Sequence, residues 1–401
     1  MFGSVNVAMI GTGNIAATMA ATLRKTKHAK LYAVASRDMT RAVEFGKKWG
    51  FRKAYGSYED LVNDSKVKLV YIATPHSEHY ANAKLCVEHG KACLVEKSFT
   101  ANAQQAEDLL RLAEENHVFI AEAMWIRYMP FYKTITDVLN SGVIGAPTTL
   151  TANLGYNVRG ITRMTDPKLA GGTLLDLGVY PLNFASMIFG DDIMKINATC
   201  TYTNRHLDEQ DSISIVYKDG RMANLTASML GPTDRQGIIY GTRGYMIVEN
   251  INNFESLMVY NNEHKKVAYY RRPKQKTGYE YEVMAALRAI RNGWMEAPEM
   301  THAQTLSIMH MMDFIREELG IVFPFEKNNK ITGSHEAQIA AEASENLEKA
   351  AEESVIVNEA EQQQAQTVGD MQTDSADDKD QSQHDMASAL EEMAREIDGK
   401  D

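Results

Sequence analysis

The sequence predicts an α/β protein in which a doubly wound parallel sheet is followed by a domain with a large, open-faced, mostly antiparallel sheet. Two changes of pattern along the 401 residues support this prediction. Apolar runs alternate with helix-length segments up to about residue 120, and strand-like alternation dominates from about residue 148. After Phe325 the composition becomes acidic and low in complexity. The predicted units are residues 1–122, residues 123–328 and a disordered or partly helical tail over 329–401.

The first unit contains five short apolar runs separated by helix-length segments such as 77–89 and 101–116. Short buried strands that alternate with helices are typical of a parallel sheet with helices on both faces. Ligands of such sheets bind at the carboxyl ends of the strands. The five predicted strands are residues 5–10, 31–35, 69–73, 92–95 and 118–121.

The second unit contains seven segments with strand-like alternation and few helical stretches between them. This pattern predicts a mostly antiparallel sheet. Residues 301–319 return to helical periodicity, with an apolar stripe that includes Met309 and Met312, which we interpret as core packing. The seven predicted strands are residues 148–156, 194–203, 211–217, 221–229, 237–248, 255–260 and 265–270.

The net charge of −11 comes from the tail. Residues 331–401 contain 19 acidic and 4 basic residues, so the remaining 330 residues carry 34 acidic and 38 basic side chains. The net charge of residues 1–330 is therefore about +4, which suits binding of an anionic small molecule but does not indicate nucleic-acid binding. Within the tail we expect helices over 335–352 and 387–397, and disorder from residue 362 to residue 383.

Cysteine usage and hydropathy exclude several classes of protein. The three cysteines, Cys86, Cys93 and Cys200, are odd in number and lack metal-ligand spacing, which indicates reduced thiols. No apolar run approaches the roughly 20 residues of a membrane span. The first predicted strand begins close to Met1, so we expect no signal peptide and a cytoplasmic location.

The first predicted strand ends in a glycine turn, Gly11-Thr12-Gly13, followed by Asn14, Ile15 and Ala16 at the start of a predicted helix. Gly11 permits a tight turn, and Gly13 lets a pyrophosphate approach N–H groups at the positive end of the helix. Ala16 keeps helix and strand close. The order strand, turn, helix predicts a dinucleotide-binding βαβ unit, although small residues also mark ordinary turns.

The second predicted strand ends at Ser36 and Arg37, where dinucleotide-binding folds place an acidic residue on the adenosine ribose. A hydroxyl and the guanidinium groups of Arg37 and Arg41 favour a 2′-phosphate, which a carboxylate would repel. The sequence therefore favours NADP over NAD. The alternatives are that Arg37 is a solvated loop residue, or that Asp38 reaches the ribose.

Two segments contain candidate catalytic residues. Glu96-Lys97 ends a predicted strand where a nicotinamide should lie, and a lysine there could stabilise an alkoxide, although Glu-Lys pairs are often surface ion pairs. Asp176 and Tyr180 are spaced i, i+4 after Gly171-Gly172, which predicts a shared helix face. A nearby lysine would lower the pKa of Tyr180 and favour proton exchange. The alternative is a tyrosine packed in a domain interface.

Thr74, Pro75, His76 and His79 follow a further strand end, where they could contact a cofactor or substrate. The two histidines also resemble the first turn of a helix capped by Ser77, which we favour. They lack the carboxylates or thiols that would suggest a metal, so we predict no metal site.

Together, these segments resemble the glucose–fructose oxidoreductase/inositol dehydrogenase (Gfo/Idh/MocA) family over roughly residues 3–326. Within that family, two segments resemble the dihydrodiol dehydrogenase and NADP-dependent aldose (xylose) dehydrogenase branch: the run from Met124 to Pro130, and Asp166-Pro167 before the glycine pair. The segments with the family resemblance are Gly11 to Ala16, Ala73 to His79, Glu96-Lys97-Ser98 and Gly171 to Tyr180.

The resemblance implies a Rossmann domain and a sheet domain used for self-association, with a homodimer as the default. It also implies Lys97 and Tyr180 as the catalytic pair, with Asp176 near the substrate. Trp125 and Arg127 are further substrate candidates, Arg127 alternatively forming an interdomain ion pair.

The sequence departs from the family pattern at Ser98, where Glu-Lys-Pro is usual. A cis Lys97–Ser98 bond would cost about 2.5–4 kcal/mol, so either the bond is trans or the fold sustains the cis form.

These residues predict an oxidoreductase that moves a hydride between NADP and a CH–OH group of a sugar, polyol or trans-dihydrodiol. In this hypothesis Lys97 and Tyr180 handle the proton. The alternatives are an NADPH-dependent reductase of an oxo-sugar, and a non-catalytic NAD(P)-binding regulator with the same fold.

Overall fold

The computed structural model describes residues 3–326. The predicted tail helices over 335–352 and 387–397, and the polar stretch from residue 362 to residue 383, lie outside the described residues.

The N-terminal sheet has six strands, all parallel, in the order β3-β2-β1-β4-β5-β6. Its central strands are apolar and buried, since helices cover both faces of such a sheet. The predicted doubly wound parallel sheet is confirmed. The strands are β1 (Val5–Ile10), β2 (Ala29–Ala35), β3 (Lys53–Tyr55), β4 (Leu69–Ile72), β5 (Ala92–Glu96) and β6 (Ile120–Ala123).

Helices connect these strands, and most of them begin at a residue that can cap. Asp38 and Asn102 each accept a hydrogen bond from the backbone N–H three residues on, and Gly50 ends its helix in the left-handed conformation with φ of 85°. The connecting helices are α1 (Asn14–Leu23), α2 (Met39–Trp49), α3 (Tyr58–Asn63), α4 (His76–Glu88) and α5 (Ala103–Glu115).

The second sheet has eight strands in the order β14-β13-β12-β11-β7-β10-β9-β8. Only β7 and β10 pair in parallel, and the other neighbours are antiparallel. The prediction of a large, mostly antiparallel sheet is confirmed. The strands are β7 (Pro147–Gly155), β8 (Ile193–Tyr202), β9 (Asp208–Tyr217), β10 (Met222–Ser228), β11 (Gly237–Gly241), β12 (Gly244–Glu249), β13 (Ser256–Asn261) and β14 (Lys266–Arg271).

The chain passes from the first sheet to the second through α6 (Trp125–Tyr128) and α7 (Phe131–Asn140). Between β7 and β8 it forms α8 (Thr162–Thr165), a 3₁₀ turn (Pro167–Leu169), a π-helical turn (Leu174–Gly178) and α9 (Val179–Phe189). Two further helices, α10 (Glu280–Asn292) and α11 (His302–Glu318), follow the second sheet. None of the helices in residues 3–326 is long and apolar enough to cross a bilayer.

One face of the second sheet is buried and the other is open. The burial of β10 and β12 alternates strictly along the strand, and α9 packs against β7 and β10 on the covered side. On the open side the cross-strand register aligns five side chains in one row. This row, which we call the tyrosine row, consists of Met222, Thr149, Tyr240, Tyr245 and Tyr260.

A buried ion network ties α11 to the segment that follows it. Arg316, which is only 4% exposed, donates to both carboxylate oxygens of Glu326 at 3.0 and 2.9 Å and to Asp313 at 2.9 Å. Glu326 also accepts from the side chain of Asn102 at the start of α5, at 2.8 Å. The network therefore holds the end of the described chain against the first sheet's helices.

We expect Arg316→Met to lower the free energy of unfolding by about 3–5 kcal/mol, because it leaves the buried Glu326 carboxylate without a cation. Urea unfolding followed by circular dichroism measures this difference. Arg111→Met, which breaks an exposed pair with Glu115, is the control and should change little. A loss no larger than that of the control would contradict a stabilising network.

Candidate active site

The glycine turn after β1 provides an open helix terminus. Gly11 has φ of +105°, and a Cβ there would lie 2.6 Å from the carbonyl oxygen of Ala73, so only glycine fits. Gly13 is exposed at the N-cap of α1, and no heavy atom lies within 4 Å of the position of its missing Cβ. No side chain among the described residues caps α1. The N–H groups of its first turn, which includes Asn14 and Ile15, are therefore available to an anion such as a pyrophosphate.

Two cations follow β2, Arg37 just after the end of the strand and Arg41 in the first turn of α2. Asp38 is the N-cap of α2 and accepts from the backbone N–H of Arg41 at 3.2 Å, so its carboxylate is engaged within the fold. Ser36 is buried and accepts from the Asp38 N–H at 3.3 Å. The side chains of Arg37 and Arg41 are exposed.

A surface depression of about 220 Å³ joins the glycine turn to α2. It is lined by Thr12 of the glycine turn and by four residues of α2, namely Arg41, Glu44, Phe45 and Lys48. The residues present therefore fit a dinucleotide whose pyrophosphate lies at α1 and whose adenosine end meets cations.

Lys97, which follows β5, connects the two parts of the described chain. Its Nζ donates to the Asp176 backbone oxygen at 2.6 Å and to Asp176 Oδ1 at 2.9 Å. The same Nζ lies 5.2 Å from the ring centroid of Tyr180. Lys97, Asp176 and Tyr180, which are up to 83 residues apart in the sequence, thus meet beyond the carboxyl end of β5.

Asp176 lies on the π-helical turn and is 7% exposed. Arg163 on α8 donates to both of its oxygens, at 2.9 and 3.1 Å, and His76 Nε2 lies 3.9 Å from Oδ1. Burial alone would raise the pKa of Asp176, but the charges of Lys97 and Arg163 outweigh burial and hold that pKa well below its usual range. Asp176 is therefore a carboxylate that fixes two cations.

Tyr180 is the second residue of α9 and is buried. Its hydroxyl oxygen accepts from Trp125 Nε1 at 3.1 Å, and the Trp125 indole stacks on Tyr279 with centroids 4.1 Å apart. Burial raises the pKa of Tyr180 well above 10. Loss of hydration, Tyr279 and Glu96 set this direction, so the lowering of this pKa by Lys97 stays a prediction.

Glu96 is buried rather than part of a surface ion pair. It accepts from the hydroxyl of Tyr71 and, through Oε2, from the backbone N–H of Lys97 at 3.2 Å. Burial raises its pKa. Glu96 therefore binds the backbone N–H of Lys97, whereas Asp176 binds its ammonium group.

Both histidines lie in the first turn of α4, but Ser77 does not cap this helix. The N-cap is Pro75, and no side chain provides a cap hydrogen bond, so the predicted capping by Ser77 is wrong. His76 Nδ1 lies 3.0 Å from the Ala170 carbonyl oxygen, and burial lowers the pKa of His76 to about 3. The imidazole is therefore neutral beside Asp176.

His79 joins two strand ends. Its ring nitrogens lie 2.8 Å from the Ser98 carbonyl oxygen and 2.9 Å from that of Thr74, whose hydroxyl accepts from Asn82 at 3.1 Å. Within residues 3–326, no three His, Cys, Asp or Glu side chains are grouped so as to hold a metal ion.

The Lys97–Ser98 bond is cis. The hydroxyl of Ser98 donates to the Leu175 carbonyl oxygen at 2.8 Å, which ties the residue after Lys97 to the π-helical turn. Ser98 thus makes a contact that a proline could not.

The structure places Arg127 away from the ion cluster around Asp176. Its guanidinium is buried and donates to Asn183 at 2.6 Å and Ser186 at 2.9 Å, both on α9.

Sequence reasoning missed Arg163 and Tyr279. No local pattern marks either residue; the structure shows why glycine precedes Tyr279, since Gly278 has φ of +97° and a Cβ there would lie 2.8 Å from the Trp125 ring.

The comparisons with known proteins agree with this geometry. The family model described as "Oxidoreductase family, NAD-binding Rossmann fold" matches residues 5–123, and the GFO/IDH/MocA C-terminal domain matches residues 132–247. Mouse trans-1,2-dihydrobenzene-1,2-diol dehydrogenase is 32% identical over 337 residues, which is 81% of this chain and 98% of that enzyme. The human enzyme is 30% identical, with the same two coverages.

Two solved structures share the fold. The 3-ketoreductase KijD10 of Actinomadura kijaniata, in complex with NADP and TDP-benzene, has a TM-score of 0.73 and 22% identity. Aldose-aldose oxidoreductase of Caulobacter crescentus, complexed with glycerol, has a TM-score of 0.72 and 17% identity. Each alignment covers 79% of this chain and 98% of the other.

The parallel sheet, the open terminus of α1 and the matched family model define a nicotinamide-nucleotide-binding oxidoreductase. The predictions of an oxidoreductase and of a nicotinamide-nucleotide cofactor are therefore confirmed. The chain belongs to the Gfo/Idh/MocA oxidoreductase family, and the dihydrodiol dehydrogenase relatives confirm the predicted branch.

Proposed function

We propose that this protein is an NADP-dependent oxidoreductase of the cytoplasm that acts on a CH–OH group of a sugar, polyol or trans-dihydrodiol, or on the corresponding carbonyl. The observation that supports this proposal is the cluster of Lys97, Asp176 and Tyr180 beyond β5. NADP(H), when bound, supplies or accepts the hydride. The relatives named dihydrodiol dehydrogenases support a small neutral substrate.

In this proposal Tyr180 and Lys97 act on the substrate oxygen. Tyr180 holds its proton because it is buried, and Trp125 occupies an acceptor position of its oxygen, which leaves the O–H free to donate. Lys97 lies beside the same ring and places a positive charge where an alkoxide would form. Asp176 and the Glu96 contact fix Lys97 in that position.

A second candidate function is the reductive direction, which the geometry of Tyr180 supports because Trp125 donates to its oxygen and leaves its O–H free to donate. A phenol that keeps its proton can give it to a carbonyl oxygen as the hydride arrives at carbon. Reduction of an oxo-sugar or a related ketone by NADPH uses the same site as oxidation of the alcohol. Rates measured in both directions with the same substrate pair distinguish the two.

The choice of NADP rests on the two exposed arginines near the adenosine end of the proposed cofactor site. Asp38, the carboxylate that could have accepted from a ribose hydroxyl, already caps α2. Arg37 and Arg41 are therefore the groups that a 2′-phosphate would meet, together with the hydroxyl of Ser36.

We expect Lys97→Ala and Tyr180→Phe each to lower kcat by about 10²–10⁴, the usual contribution of general acid–base catalysis. Steady-state assays of nicotinamide absorbance, with NADP(H) and a panel of aldoses, polyols, dihydrodiols and their ketones, measure the effect. Lys84→Ala and Tyr80→Phe on the outer part of α4 are the matched controls. Turnover near that of the parent in both site variants would reject the assignment.

We expect Arg37→Ala to raise the KM for NADP by about 10- to 100-fold, as loss of a charged hydrogen bond implies, with little effect on the KM for NAD. Calorimetric titration of NADP and NAD into the parent and the variant measures the same difference without turnover. Arg52→Ala, outside the depression, is the control. Equal losses for the two cofactors would argue against 2′-phosphate recognition.

We also propose that the open face of the second sheet forms a homodimer through the tyrosine row. Tyr245 stacks on Tyr260 with centroids 4.9 Å apart, and Tyr240, which is 37% exposed, lies 6.1 Å from Tyr245. Tyrosine is enriched at protein interfaces, and a single open face suits a two-fold contact in which each copy presents the same patch.

We expect Tyr240→Glu combined with Tyr245→Glu to convert a dimer into a monomer, because each copy would bury two carboxylates at the two-fold contact. Sedimentation velocity gives the mass directly. Met284→Glu, at an exposed apolar residue of α10, is the control. A monomeric parent, or a dimer that survives the double substitution, would contradict this interface.

A further inference from the structure

Two buried acids lie beneath the π-helical turn that carries Asp176. The Asp208 carboxylate accepts from the backbone N–H of Leu174 at 2.5 Å and also from that of Thr173. A side chain at Gly172, which has φ of +116°, would collide with the same carboxylate. Asp208 therefore holds the start of the turn in place.

Asp211 reaches the same side of β9 because of a β-bulge. Tyr202 of β8 pairs with Asp208, but its neighbour Thr201 pairs with Gln210, so Glu209 is an extra residue in β9. Without the bulge, residues three apart would point to opposite faces of the sheet. With it, Asp208 and Asp211 both point towards the turn, and Asp211 Oδ2 lies 3.7 Å from the Cβ position of Gly178.

The carboxyl group of Asp211 is buried and accepts no hydrogen bond among the described residues. It is 4% exposed, and neither of its carboxyl oxygens finds a hydrogen-bond donor among the described residues. It lies within hydrogen-bonding reach of Asp208, which is another acceptor. Two buried carboxylates in contact repel each other and cannot both be charged at low cost. One proton between them turns the repulsion into a hydrogen bond.

We propose that Asp208 and Asp211 share one proton, which Asp211 donates to Asp208, and that this pair positions the turn carrying Asp176 and Tyr180. The backbone N–H groups of Leu174 and Thr173 stabilise charge on Asp208, which assigns the proton to Asp211. The pair is a positioning device, since it acts on the reaction only through the turn above it.

Burial and the neighbouring Asp208 raise the pKa of Asp211 well above its usual value. Among the described residues, the titratable groups that act on the pair from the adjacent strand are Cys200 and Tyr202 of β8. The turn itself contributes only backbone groups to Asp208. Loss of the proton would leave two buried charges under Leu174 and loosen the turn.

The first test measures stability and needs no turnover. Because the folded chain keeps a proton that unfolded aspartate loses near pH 3.9, the parent loses stability as pH rises from about 4 towards neutral pH. In Asp211→Asn the side-chain amide donates the hydrogen bond to Asp208 and has no proton to lose in this pH range. The variant should therefore lack this loss of stability. We expect its Tm relative to the parent to rise steadily over that range. Asp192→Asn, at an exposed carboxylate, is the control and should give a constant difference.

The second test rests on the proposed reaction. Asp211→Leu removes the donor at similar volume, so we expect its kcat to fall about tenfold below that of Asp211→Asn, with KM for NADPH changed less than twofold. Parallel Tm curves for the parent and Asp211→Asn would overturn the shared proton. Equal kcat for the Asn and Leu variants would overturn the positioning role. If the parent shows no turnover, the proposed function fails, and the Tm curves still decide whether the proton is shared.

Discussion

The Asp176 carboxylate is the group on which the arrangement of the site depends. It is nearly inaccessible to water, and it binds Lys97 from the parallel sheet and Arg163 from the segment after β7. A buried carboxylate without these partners would take up a proton, and Lys97 would lose the contact that directs its ammonium group towards Tyr180. The two cations and the one anion therefore fix one another, and the substrate oxygen would meet a lysine that is already held in place.

The π-helical turn decides where Asp176 and Tyr180 point. A regular helix would place residues i and i+4 on one face, which is the geometry that the sequence predicted. A π-helical turn has i to i+5 hydrogen bonds and wider spacing, so the two side chains reach Lys97 from different directions, one as an ion pair and one as an aromatic ring. The start of the turn is held by two contacts, since Asp208 accepts from the N–H of Leu174 and the hydroxyl of Ser98 donates to the carbonyl oxygen of Leu175.

Apolar periodicity was enough to predict both sheets, because each buried strand must be apolar on its covered faces. It failed where that rule does not apply. Strand β3, Lys53–Tyr55, is short and polar, and the predicted run over 237–248 is a hairpin that reverses at Thr242 and Arg243. In the site, Lys97, Asp176 and Tyr180 were found from motifs. Arg163, Tyr279 and the Asp208–Asp211 pair were not, since their importance comes from contacts between distant parts of the chain that no local pattern records.

The state of Tyr180 shows how two opposing effects are resolved. A cation at about 4–6 Å typically lowers a tyrosine pKa by about 1–3, whereas full burial raises it by as much as about 3–5. Tyr180 is 7% exposed, and Lys97 gives most of its interaction to Asp176 rather than to the phenol. Burial therefore dominates, and the proton stays on the hydroxyl. In the proposed reaction, a phenol in this state would release its proton to a substrate oxygen that becomes negative beside Lys97, so proton transfer would accompany the arrival of negative charge on that oxygen.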